Sequence, residues 1–251
     1  MNQPEARFSI SAYKATVEGL CELGYELVPL RWILPEHRGP KPPAFMRHDV
    51  DVDITAALAL AEVDASLNFA ATFFISLQSP FFNPLSTGAL RAMERLSGLG
   101  HEIAAHIDLR DLEGALAALH YLPRVIPAMR VDLVTVHCPP DDAPVIEVPG
   151  VENVQRRLDD FGYKYLSDSL GLWREGNPTQ HPAALAGLPL HINTHPTWWV
   201  EPRQPRDLDQ VPPRYAARTD TEWWFPKLTR KLAEERLVSN ASDNAAEVSD
   251  A

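Results

Sequence analysis

Cysteine is almost missing from this chain. Cys21 and Cys138 are its only two in 251 residues, too few for a disulfide scaffold and too far apart for a thiolate zinc site, a usage that suits a reducing cytoplasm. A single bridge between them is the one disulfide left open. No apolar run approaches the roughly 18 to 20 residues of a membrane span. The opening MNQPEARFSISAYK lacks the basic start, apolar stretch and small-residue cleavage site of a secretory signal, so a soluble cytoplasmic protein is expected. Positive charge is also scarce: 23 Lys and Arg stand against 34 Asp and Glu, a formal net charge of -11. Nucleic-acid binding draws most of its affinity from cations on phosphates, which argues against that class of partner. No internal repeat points to a solenoid.

What is present fits one large α/β domain. A chain of 251 residues with 45% apolar and 23% charged residues can bury a full core. SISAYKATVEGLCELGYEL places Tyr13, Val17, Leu20 and Leu23 at helical spacing and stops at Gly24, a natural helix terminus that leads into a strand. The Pro-rich connector from Pro35 to Pro43 breaks both patterns before AFMRHDVDVD, a buried strand whose C-terminal end carries acids. A helix from Ile54 to Leu67, with Asn68 as terminator, and the strand AATFFISL complete one βαβ unit. The pattern continues with a helix over Thr87 to Leu99, the strand HEIAAHI, a helix over Asp111 to Leu119, the strand VDLVTVH, a helix over Val151 to Phe161, and the strands YKYLSDS and LPLHINTH. Such alternation predicts a parallel sheet closed or nearly closed into a barrel. Residues 1–233 are expected to form it with N- and C-terminal helices, and 234–251, polar, acidic and without aromatics, a solvated tail.

In parallel α/β architectures reactive groups gather where strands end, because the loops there vary freely. Asp49, Asp51 and Asp53 close one strand, His106 and Asp108 another, then come His137, Asp168 and His195. Carboxylates and imidazoles are the ligand set of zinc or a related divalent metal, with one coordination position left for water in a catalytic site. Singly, each has a plainer reading. A His at a strand end is usually a hydrogen-bonded structural residue, and DVDVD reads equally as an acidic turn or helix N-cap. Convergence favours chemistry, since clustered carboxylates and imidazoles repel or stay unsatisfied unless a metal or substrate engages them.

RHDVD (Arg47 to Asp51), ATFFI (Ala71 to Ile75), GHEIAAHID (Gly100 to Asp108), VHCPP (Val136 to Pro140), SDSLGLW (Ser167 to Trp173) and THPTWW (Thr194 to Trp199) follow one another along the chain. In that order they resemble the motifs of the polysaccharide deacetylase superfamily, the NodB-homology carbohydrate esterases, in the branch whose first motif reads RHDVD instead of TFDDG. The resemblance implies a distorted (β/α)7 barrel and metal-dependent removal of an N-acyl group, commonly acetyl, from a sugar. It further implies Asp49 as the base that activates water, His195 as the acid that protonates the leaving amine, and Asp168 as the group orienting a catalytic imidazole. Asp51 and His106 would be metal ligands, with zinc the expected metal.

Two departures matter. The family's second motif has a second His four residues after the first, and here that position is Arg110, which cannot ligate. His137 is the chosen third ligand, on the same rim where the family usually carries an arginine, with Asp108 and Asp49 as alternatives. The DVD spacing also parts two aspartates that are usually adjacent. Arg47 and Trp198 are expected to contact substrate, Trp198 reading equally well as core. Trp223, Trp224 and Phe225 fit a packed C-terminal helix or an oligomer contact. His101 belongs at the far end of its strand in a structural or surface role, and His37, His120 and His181 in exposed loops or helix ends. His191, about 13 Å from His195 at strand rise, is too far to share its metal. A small-molecule or oligosaccharide substrate is expected. Two rivals stay open: an inactive barrel that binds carbohydrate or a partner protein, and a metal hydrolase of another C–N bond.

Overall fold

Ser9 starts the first helix. Its hydroxyl accepts from the backbone N–H of Ala12 at 3.1 Å, an N-cap, and α1 (Ile10–Glu22) buries Tyr13, Val17 and Leu20 along one side. Gly24, at φ 90°, closes it in the left-handed region that a residue without Cβ enters freely. The computed structural model describes residues 8–32, 39–137 and 151–200. Beyond Gly24 lie β1 (Glu26–Val28) and β2 (Pro43–Val50). Asp53 caps α2 (Ile54–Ser66), its carboxylate accepting from Thr55 N at 2.8 Å. The helix runs out at Asn68, φ 61°, a conformation Asn tolerates better than most residues.

The remaining elements alternate as β3 (Thr72–Ser76), α3 (Thr87–Gly98), β4 (Glu102–Ile107), α4 (Leu112–Tyr121), β5 (Met129–Val136), β6 (Glu152–Asn153), α5 (Val154–Asp160), β7 (Lys164–Ser167), α6 (Pro182–Leu185), β8 (Leu190–Thr194) and α7 (Pro196–Val200). Every pairing is parallel, in the order β6-β5-β4-β3-β2-β8-β7. β1 pairs with the first half of β2, on the edge that β3 takes further on. The sheet curls into a half-barrel. All eight residues of β2 are buried, as strands covered on both faces must be. Alternation gives those faces different contents. On the inner face Phe45, Phe74, Ala104 and Leu133 join Leu30, Val154 and Leu158 in one apolar cluster. The outer face of β2 packs on α2 and α7.

The elements differ from expectation in a few places. β2 ends at Val50, so Asp51 and Asp53 lie past the strand, and Asp53 is engaged as a helix cap. β5 begins at Met129, two residues earlier than expected, and the helix expected from Val151 begins at Val154 because Glu152 and Asn153 pair with Leu133 and Val134. Closure into a full barrel is not seen among the described residues, where β6 and β7 end the strand order. His37, Cys138, Trp223, Trp224, Phe225, the expected C-terminal helix and the tail 234–251 lie outside the described residues. Among those described, no helix is long and apolar enough to cross a membrane.

Candidate metal centre

Strand register brings the first two imidazoles together. His106 on β4 stands opposite Thr135 on β5, and His137, two residues on, returns to the same face. Thr135 Oγ1 lies 2.7 Å from His106 Nδ1. That contact holds the ring with Nε2 toward His137, 3.2 Å from its Nδ1. Asp51 arrives from the end of β2, its Oδ1 3.4 Å from both His106 Nε2 and His137 Nδ1. All three side chains are buried. Among the described residues Asp51 Oδ1 has no hydrogen-bond partner, and these three form a group able to hold a metal ion.

The donor set fits a cation. Three atoms 3.2 to 3.4 Å apart match the tetrahedral edges of roughly 3.3 to 3.4 Å that ligands about 2.0 to 2.1 Å from zinc would make. Thr135 behind His106 is the kind of outer partner that orients a ligating imidazole. Burial pushes His106 down to about 4 against the upward pull of Asp49 and Asp51, so the ring is neutral near pH 7 and its lone pair is available. Burial would raise Asp51, but His137 and His106 outweigh it and hold the carboxyl down at about 2.

Beside this triad stand two further ionisable groups, Asp49 and His195. Arg47 and Asp49 lie two apart on β2 and share a face; Nε and Nη2 of the guanidinium donate to the two carboxylate oxygens, each at 2.7 Å. Asn193 on β8 donates to the same carboxylate at 3.0 Å. Burial opposes ionisation of Asp49, yet the Arg47 charge keeps its carboxyl well below the usual range. Arg47 is only 4% exposed, and its guanidinium is engaged by the Asp49 carboxylate.

His195 follows β8 directly. Its Nδ1 lies 2.6 Å from Asp168 Oδ1, and its backbone N–H donates to Asp168 Oδ2 at 3.0 Å. Trp199 Nε1 donates to that second oxygen at 2.6 Å. Burial alone would lower His195, but Asp168 above all, helped by Asp51 and Asp49, raises it to about 9. In the metal-free chain the ring therefore keeps its proton at neutral pH. Its Nε2 faces the triad, 3.7 Å from Asp51 Oδ2 and 3.9 Å from Asp49 Oδ2.

No family model, curated protein or solved structure matches the chain. The site is thus read from its own chemistry. Asp108, an alternative third ligand, is instead held by Arg110, whose backbone N and Nε donate to it at 2.9 and 2.8 Å. Asp49, the other alternative, is taken by Arg47. His101 is buried between Ala71 N and Ala61 O, at 3.1 and 3.0 Å, a structural role. His120 is exposed, whereas His181 is half-buried and accepts from Ala183 N, capping α6. His191 is buried between the rings of Phe45 and Tyr165, apart from the triad. Trp198, at 8% exposure, has little surface left for a substrate. Thr135, Asn193 and the bond from Trp199 were not expected; Asn193 was within reach, since it lies two residues before His195 and so shares its face.

Proposed function

We propose that this chain is a metal-dependent hydrolase that removes an N-acyl group, acetyl above all, from a sugar or sugar-linked intermediate of polysaccharide metabolism, on a distorted (β/α)7 barrel of the polysaccharide deacetylase type. The observation that carries this reading is one rim holding both a buried carboxylate and imidazole triad and a carboxylate-backed imidazole. Asp51, His106 and His137 would hold a divalent cation, zinc by the donor set. Such a cation supplies Lewis-acid activation of water and polarises the acyl carbonyl.

The chain's own residues then divide the proton transfers. Asp49 stays ionised at working pH and can accept a proton; the bonds from Arg47 that keep it so also make it a weak base, suited only to a water already acidified. His195 holds the proton that an amine leaving group needs, on the Nε2 that faces the site, while Asp168 fixes the opposite nitrogen. Asp49→Asn and His195→Ala should each lower turnover of N-acetylated amino-sugar substrates by roughly a hundredfold or more, with zinc content retained. Near-normal turnover in His195→Ala would remove it as the acid.

Arg110 supports a second reading, an inactive carbohydrate- or protein-binding barrel, because it stands where a second ligating His is usual and is tied to Asp108. Elemental analysis separates the two: about one divalent metal per chain favours the enzyme, and none after incubation with zinc, cobalt, nickel or manganese favours the rival.

A further inference from the structure

The face of β2 turned away from the metal centre carries a second polar cluster. His48 Nδ1 lies 2.6 Å from Thr194 Oγ1 on β8, and Nε2 lies 3.0 Å from Asp64 Oδ2 on α2. The other oxygen of Asp64 accepts from the Tyr13 hydroxyl on α1 at 2.7 Å. None of the four residues is more than 1% exposed. Both oxygens of Asp64 and both nitrogens of His48 are engaged. Buried polar groups persist where each finds a partner, and every one of these does.

Both ends of the cluster reach the acid side of the site. Thr194 is bonded in the chain to His195. Tyr13 packs edge-on against Trp199, centroids 5.3 Å apart, and Trp199 donates to Asp168, which holds His195. At its centre, His48 directly precedes Asp49. The strands that carry base and acid are therefore tied together one residue before each of them.

We propose that His48, Asp64 and Tyr13 form a positioning network for His195: by tying Thr194 to β2 and α1 to Trp199, it fixes the His195–Asp168 pair opposite Asp49 and Asp51. This rests on the reading of His195 as the proton donor. The test uses the full-length, histidine-labelled chain and follows by NMR the proton on His195 Nδ1 that is shared with Asp168. In Asp64→Asn and Thr194→Val that signal should move upfield and exchange with water about three- to tenfold faster, the scale of one net hydrogen bond, while the His106 signal stays in place. Thr194→Ser, which restores the hydroxyl, should restore the wild-type signal. Tyr13→Phe keeps the ring on Trp199 and removes one hydroxyl, so it decides the matter if Asp64→Asn fails to fold. An unchanged His195 signal in the folded variants, or one that moves together with His106, would overturn the proposal. The signal needs neither metal nor substrate. A wild-type chain that binds no zinc by calorimetry would sink the hydrolase reading and leave this outcome standing by itself.

Discussion

His48 and Asp49 are neighbours in the chain and face opposite ways, and the His48 cluster differs from the Asp51 cluster beside Asp49 in how fully its polar groups are paired. Outward, both nitrogens of His48 and both oxygens of Asp64 have partners between 2.6 and 3.0 Å. Inward, Asp51 Oδ1 meets only imidazole nitrogens at 3.4 Å and makes no hydrogen bond among the described residues. Both clusters are buried and both use carboxylate and imidazole. The completed one can specify a geometry, and the uncompleted one, where strands end, is open to a ligand. Strand alternation thus puts the completed cluster on one face of β2 and Asp49, beside the uncompleted one, on the other.

The largest expected difference between the faces is in stability. Asp64→Ala leaves the His48 ring and the Tyr13 hydroxyl buried without their shared partner, and should cost about 3–5 kcal/mol. Asp51→Asn in metal-free protein should cost less, about 2 kcal/mol, the worth of holding its carboxyl down at about 2. Urea unfolding after chelator treatment measures both. Equal losses would make the inner cluster scaffold as well, and the contrast would collapse.

Metal affinity should divide the faces the other way. His106→Ala and His137→Ala each remove a donor and are expected to weaken zinc binding by at least about a hundredfold, with Thr135→Val, behind His106, costing about ten- to a hundredfold. Thr194→Val, the matching change on the outer face, should leave affinity within about twofold. Competition with a coloured chelator reads all four. A Thr135→Val chain that binds like wild type would mean that His106 is oriented by something other than its threonine.

How much of this could be seen in the chain alone follows the same division. The inner residues were legible because they sit at strand ends in an alternating βα pattern: Asp49, Asp51, His106, His137, Asp168 and His195 all reach one rim. Arg47, expected at the substrate, lies two before Asp49, so alternation also puts it within reach of that carboxylate. The outer cluster was passed over, although a signal existed. Ile54, Ala57, Ala61 and Asp64 recur at spacings of three and four on α2 and all are buried, so an aspartate on that apolar stripe needs a buried partner. β6 is only two residues long, too short for any periodicity to announce it.

The inner face also offers a test by pH, with the smallest effect. His191 lies between the rings of Phe45 and Tyr165, at 5.1 and 4.8 Å. Burial, aided by the Arg47 charge, pushes it well below the usual imidazole range. The unfolded chain takes up this proton below about pH 6.5, where the folded chain does not. Stability conferred by the neutral ring is therefore fully present above about 6.5 and lost as pH falls toward the folded value, with a slope approaching about 1.4 kcal/mol per pH unit. Urea unfolding of metal-free wild type and His191→Phe between pH 7.5 and 5 measures it, since other groups titrate in both chains and cancel in the difference. The curves should run parallel above pH 7 and diverge below 6.5, the variant losing less. Curves that stay parallel throughout would put a proton on His191 in the folded chain. Burial between the two rings would then not be what keeps the imidazole neutral.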